Sequence, residues 1–151
     1  MLAAIRVRGS VNVLPQIKKT LELLRLDRVN HLVLVEDKQR GMLNKVQSYT
    51  TFGEIDAETI ALVLKKRGRL AGNKKLGKEF LEKNKLKGFD EAAKAVFEGK
   101  KKLKELGVKP VFRLSPPKKG YERAGIKKGY SVGGALGYRA SDITTLIKRM
   151  I

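Results

Sequence analysis

Gly72-Asn73-Lys74-Lys75-Leu76-Gly77-Lys78 has the G-x-x-x-x-G-K spacing of a loop that cradles phosphate with backbone N–H groups. In such loops a Ser or Thr follows the Lys and holds Mg²⁺. Here Glu79 follows, which sets a carboxylate beside the phosphates, and no apolar strand leads in. The stretch reads as a basic, glycine-containing turn. Gly133-Gly134-Ala135-Leu136-Gly137 lacks the G-x-G-x-x-G spacing and the β-α-β start of a dinucleotide loop. Its glycines let backbone come close to a partner, and an RNA backbone is the reading we favour. The single histidine, His31, opens an apolar run, where packing is the ordinary role. Glu36 and Asp37 are sequence neighbours in a charged turn and point in different directions, unlike a paired acid and base. No nucleophile elbow is present. With no cysteine and one histidine, disulfides, thiol catalysis, zinc–thiolate sites and multi-histidine metal sites are excluded. The expectation is a protein without catalysis, cofactor, metal site or small-molecule substrate.

What remains is positive charge interleaved with glycine and tyrosine. The 151 residues carry 34 Lys or Arg against 15 Asp or Glu, a net +19. Residues 1–60 hold +2 of it and residues 61–151 hold +17. Self-repulsion on that scale points to a polyanionic partner, although a Lys-rich surface can also be merely solvated. The stretch 118–139, KKGYERAGIKKGYSVGGALGYR, is the richest. Arg113, Lys118, Lys119, Arg123, Lys127, Lys128 and Arg139 can neutralise phosphates. Tyr121, Tyr130 and Tyr138 can stack on unpaired bases, while Gly133 and Gly134 let the main chain lie close to ribose and phosphate. Lys65, Lys66, Arg67 and Arg69 form a second, less specific group at a helix end. Arg40, Gly41 and Lys45 form a third, where the start of a short helix offers N–H groups to a phosphate. Arg6 reaches RNA only if its sheet face is uncovered. Lys100 to Lys104 reads as a solvated face.

The elements that must position these groups follow from periodicity. Ala3, Ile5 and Val7 alternate with Ala4 and Arg6, giving a strand. Pro15 opens a helix whose apolar positions are Leu14, Ile17, Leu21 and Leu24. His31–Val35 is a second strand, 42–46 a short helix, and 48–52 a third strand. Residues 1–53 thus spell a compact β-α-β-α-β core, and residues 54–151 a basic RNA-binding extension packed on it. In the extension, Asp56 caps a helix with the stripe Ile60, Val63 and Leu64. Residues 78–83 suggest a short helix, and Asp90 caps another bearing Ala93, Val96 and Phe97. Residues 100–106 continue helically until Gly107. Residues 111–114 make one short strand, and Pro116-Pro117 leave the sheet. Residues 118–139, with few aliphatics to bury, read as an open loop ordered mainly by RNA. Ser141 caps a final helix, 141–150, with Ile143, Leu146, Ile147 and Met150 on one stripe. No apolar run approaches the ~20 residues of a membrane helix, and the first residues do not resemble a secretory signal, so an intracellular, membrane-free protein is expected.

Several of these stretches together resemble one family. The opening strand, Leu21-Glu22-Leu23-Leu24-Arg25-Leu26, and Lys38-Gln39-Arg40-Gly41-Met42-Leu43-Asn44-Lys45-Val46 resemble the large-subunit ribosomal protein family called L-thirty in bacteria and L-seven in eukaryotes. Lys66-Arg67-Gly68, Phe112-Arg113-Leu114-Ser115-Pro116-Pro117-Lys118-Lys119-Gly120, Gly133-Gly134 and Ile147-Lys148-Arg149-Met150 resemble the extension of its archaeal and eukaryotic members. Residues 84–89 are short for a eukaryotic member, which favours the archaeal type. The resemblance implies an α+β fold: a small antiparallel three-stranded sheet with two helices, ferredoxin-like, plus a helical basic extension with one short strand and a C-terminal helix. It implies a structural role in the cytoplasmic ribosome. The partners would be large-subunit ribosomal RNA and other large-subunit proteins. From the residues alone, a free nucleic-acid-binding module, such as a chromatin or RNA-chaperone protein, remains an alternative, with an RNA-processing enzyme behind it.

Overall fold

A computed structural model describes residues 1–77, 80–81 and 88–151. Its elements are β1 (Leu2–Arg6), α1 (Pro15–Leu23), β2 (His31–Val35), α2 (Arg40–Lys45), β3 (Thr50–Glu54), α3 (Ala57–Arg67), α4 (Phe89–Phe97), β4 (Val111–Arg113), β5 (Gly137–Tyr138) and α5 (Ile143–Met150). The strands form one sheet in the order β4-β2-β1-β3-β5. β1 is antiparallel to both β2 and β3, β4 is antiparallel to β2, and β5 runs parallel to β3. The expected three antiparallel strands are the middle of this sheet. The expected sheet size and the single extra strand are both corrected: the extension adds β4 at one edge and β5 at the other. Each pairs an edge whose N–H and C=O groups would otherwise be open to another chain.

Period-two alternation sends each strand's residues to opposite faces, and here both faces are covered. Leu2, Ala4, Val33, Val35 and Phe52 pack with Leu21, Leu24, Leu26, Leu43 and Val46 from α1, α2 and their flanks. Ala3, Ile5, Leu32 and Phe112 pack with Ile60, Val63 and Leu64 of α3, Ala93 and Val96 of α4, and Ile143, Leu146, Ile147 and Met150 of α5. All five β1 residues are therefore buried. The extension supplies the whole second helical layer.

Local differences from the sequence reading have local causes. Leu14 precedes α1 and is exposed rather than on its apolar face. β3 starts two residues late because residues 46–50 form a turn, with Tyr49 and Thr50 N–H groups donating to the Val46 carbonyl. Asp56 holds the N-cap position of α3 without a side-chain cap bond. Asp90 lies inside the first turn of α4 rather than capping it. Residues 102–107 close as turns, not as a helix, with Gly107 at φ 65°. Ser141 sits within a 3-10 turn, Ala140–Asp142, that leads into α5, so it is no cap. The expected helix over 78–83 lies largely outside the described residues, as do Lys78 and Glu79 of the glycine-containing turn.

Gly53 shows how tightly the extension seats. It faces the 140–143 corner, and a Cβ there would collide with the Ala140 carbonyl oxygen and press on Ile143. We expect Gly53→Ala to destabilise the protein by about 2 kcal/mol through overpacking. Thermal unfolding followed by circular dichroism checks this, against Gly9→Ala, whose added Cβ meets nothing.

Candidate nucleic-acid interface

The segment 118–139 is built rather than open, and a buried cation builds it. Arg139 donates from Nε to Thr51 Oγ1 at 2.8 Å, from its terminal nitrogens to the Glu122 carboxylate at 2.8 and 3.2 Å, and to the Ala135 carbonyl at 3.0 Å. Its guanidinium Cζ also lies 4.5 Å from the centre of the Tyr130 ring. Arg139 is 3% exposed. Its expected phosphate contact is therefore corrected to an internal brace between the loop and β3. Burial pushes the Glu122 carboxyl up, but the Arg139 hydrogen bond and charge, with Arg149 nearby, hold it below its ordinary value. Ala135 and Leu136 are buried with Val7 in a small cluster against Tyr121.

The glycines are used inside the segment. Gly134 is buried, and a Cβ there would run into the Lys128 carbonyl. Gly133 adopts φ 78°, ending the 3-10 turn Tyr130–Val132 in the left-handed region that favours glycine. The close backbone approach at Gly134 is thus made to the loop itself, while Gly133 stays exposed.

The tyrosines are also held. Tyr121 is half-buried and donates to Asn30 Oδ1 at 3.2 Å. Tyr130 donates to Asp142 at 2.5 Å, and Tyr138 to both Glu54 carboxylate oxygens at 2.7 and 2.8 Å. Those carboxylates are the main cause holding the Tyr130 and Tyr138 phenols above their ordinary value; for Tyr121 the main cause is burial. All three stay neutral donors at physiological pH. Tyr138 remains exposed, with Arg40 Cζ 4.9 Å from its ring centre and Phe52 packed at 5.7 Å. The fold thus joins two groups that are distant in sequence, the α2 cation and the loop tyrosine.

Lys118, Lys119, Arg123, Lys127 and Lys128 are exposed. Among the described residues, none of them has a carboxylate within ion-pair distance. They are part of the chain's uncompensated charge, carried on a braced loop.

A second group gathers around the chain's end. Arg67 donates to Ser115 Oγ at 2.6 Å and to the Ile151 carbonyl at 3.0 Å. Arg149 donates to the carbonyls of Lys118 and Gly120, and the Lys118 N–H returns a bond to the Arg149 carbonyl at 2.9 Å. These bonds put exposed Lys65 and Lys66 at the same end of the molecule as Lys118 and Lys119. Arg69 is half-buried beside an isolated bridge to Lys75. Arg113 is exposed on β4, opposite His31. It lies at the far edge of the sheet from Tyr138, roughly 19 Å away at ~4.8 Å per strand.

The Arg40 end of α2 differs from expectation. A 3-10 turn, Asp37–Gln39, runs straight into it, and the Gln39 and Arg40 N–H groups donate to Glu36 and Asp37 carbonyls. Those two donors are spent inside the turn, while Gly41 and Lys45 are exposed. Arg6 is buried and donates to the carbonyls of Leu26, Asp27 and Arg8 and to Ser10 Oγ, tying β1 to the turn after α1. Burial, then the neighbouring Arg113, keeps His31 below its ordinary value and hence neutral at pH 7. Among the described residues no cluster of His, Asp or Glu could hold a metal, and no helix is long and apolar enough to cross a membrane.

One feature of the surface was not legible in the charge pattern. A polar cleft of about 520 Å³ opens between the 47–48 turn and the loop, lined by Arg8, Gln47, Ser48, Lys127, Gly129, Tyr130, Ser131, Leu136, Gly137 and Tyr138. Arg8 is fixed there by its stack on Tyr49, 5.0 Å from Cζ to ring centre, and by a 3.2 Å bond to the Ser48 carbonyl. The one sequence signal for Arg8 is its charge, two residues beyond Arg6 and just past the end of β1.

Residues 2–50 match the family described as ribosomal protein L30p/L7e. The large ribosomal subunit protein uL30 of Methanococcus vannielii is 52% identical over 151 residues, covering 99% of this chain and 98% of that protein. The proteins of the same name from Nanoarchaeum equitans and Methanobrevibacter smithii are 50% and 48% identical, and each match covers 99% or more of both chains. These full-length similarities run through the braced loop and the closing helix as well as the core. The chain belongs to the ribosomal protein L30p/L7e family.

Proposed function

We propose that the protein is a non-enzymatic structural constituent of the large ribosomal subunit, working in the cytoplasm. It binds and stabilises ribosomal RNA, beside other large-subunit proteins. The observation that carries this reading is the run of exposed, uncompensated cations at Lys118, Lys119, Arg123, Lys127 and Lys128. They stand on a loop that Arg139 braces from inside, in a chain whose relatives are named as large-subunit proteins. Lys65 and Lys66 extend the same surface. Phosphate neutralisation by these groups supplies affinity, and their spacing on a fixed frame supplies register.

Two measurements test it. The protein should stay with the large subunit through a high-salt wash that strips a free nucleic-acid-binding module. Replacing Arg123 and Lys128 together by Ala should lower the slope of log affinity for purified large-subunit RNA against log salt by about 1.4 to 1.8, two phosphates' worth. Thermal stability should not change, since both side chains are exposed. An unaltered slope sinks the assignment of phosphate contacts to this loop.

A further inference from the structure

The cleft beside Tyr130 is a half-open depression of about 520 Å³, a volume within the range of roughly 300–1,000 Å³ typical of small-ligand sites. It is made by three segments far apart in sequence: Arg8 after β1, Gln47 and Ser48 after α2, and Lys127, Tyr130 and Ser131 from the loop. Two of its members are pre-positioned. The Tyr130 ring is fixed at its hydroxyl by Asp142 at 2.5 Å and backed by the Arg139 guanidinium at 4.5 Å. Arg8 is fixed by Tyr49 and the Ser48 carbonyl. Immobilising these side chains in advance removes much of the ordering cost of binding.

An aromatic ring between cations, with amide and hydroxyl groups beside it, suits one ligand chemistry. The ring offers a π-face, Arg8 and Lys127 take a phosphate, and Gln47, Ser48 and Ser131 supply donors and acceptors for a base edge. A paired base has both faces occupied by its stacked neighbours, so only a splayed, unpaired base can present a face to the ring. We propose that this cleft receives a single unpaired nucleotide of RNA, its base stacked on Tyr130 opposite Arg139 and its phosphate held between Arg8 and Lys127. This rests on the RNA-binding reading above and assigns one contact within it to a base, where the loop cations contact only backbone.

The probe is a single-stranded ten-nucleotide RNA carrying 2-aminopurine at its centre, with the same strand annealed to its complement as the paired form. Full-length protein should quench 2-aminopurine emission in the single strand at least twofold and leave the duplex unchanged. Tyr130→Phe should keep the quenching and Tyr130→Leu should lose it. Lys127→Glu, an exposed position that leaves the fold alone, should weaken single-strand binding about tenfold, and it decides the matter if Tyr130→Leu does not fold. Equal quenching by wild type and Tyr130→Leu, or unchanged binding by Lys127→Glu, overturns the proposal. Binding to purified large-subunit RNA is measured alongside. If that binding persists while the quenching is absent, the cleft assignment alone fails. If that binding is itself missing, the RNA-binding reading fails with it.

Discussion

A chain ending at Gly53 is expected to be aggregated or molten, not a small independent domain. The β-α-β-α-β segment covers one sheet face with its own α1 and α2. Its other face carries Ala3, Ile5 and Leu32, which the full chain buries completely beneath α3, α4 and α5. Each large aliphatic side chain left bare forfeits about 2 kcal/mol of burial. Truncation also strips both edge partners, β4 from β2 and β5 from β3, leaving an apolar face bounded by two open edges, a combination prone to association. Size-exclusion chromatography should place the fragment in large species, with strong binding of a hydrophobic dye. A monomer with a cooperative thermal transition refutes this.

Arg139→Met should cost about 3 kcal/mol, the ordinary loss when one partner of a buried ion pair is removed. That corresponds to a fall in melting temperature of roughly 6–12 °C for a chain of this size. The replacement fills similar volume but leaves the Glu122 carboxylate, the Thr51 hydroxyl and the Ala135 carbonyl without their donor. Adding Glu122→Gln to Arg139→Met should recover part of the loss, because the orphaned charge is gone. The salt slope of RNA binding, measured below the variant's transition, should not change; a fall of about one unit would show Arg139 on a phosphate after all. The pair also sets an acid limit. Glu122 is held below its ordinary value of 4.5, so its contribution is complete above that value. It is lost as pH falls through the lower, folded value. Glu122→Gln should remove this part of the acid sensitivity.

Much of the frame is written locally. His31–Val35 is a strand because five apolar or β-tolerant residues follow one another between turns, and the α5 stripe of Ile143, Leu146, Ile147 and Met150 is a plain helical period. The second sheet edge is not written this way. Gly137–Tyr138 is two residues long, too short for any period, and becomes a strand only because β3 offers an open edge. Composition showed that Lys118 to Lys128 carry surplus charge, since exposure is the default for lysine. It did not distinguish Arg139, which has the same chemistry but is drawn inside by Glu122, Thr51 and Ala135. Nor did it show the cleft. Tyr130, Lys127 and Tyr138 stand out as cation-and-aromatic residues, but Arg8, Gln47 and Ser48 join them only through the tertiary fold.

The two-sided covering of β1 also sets a timetable. Ile143 and Ile147, part of the cover over Ile5, are made long after it. At roughly 5–20 residues per second, Ile143 follows Ile5 by about 7 to 28 s. Hydrophobic collapse of the first segment takes well under a millisecond, so the nascent chain waits with one apolar sheet face only partly covered, by α3 and then α4, until α5 is made. Pairings as distant as Thr51 with Gly137, 86 residues apart, then close late and slowly. A factor that holds the nascent chain need only mask the Ala3, Ile5 and Leu32 face during that interval, until α5 completes the cover.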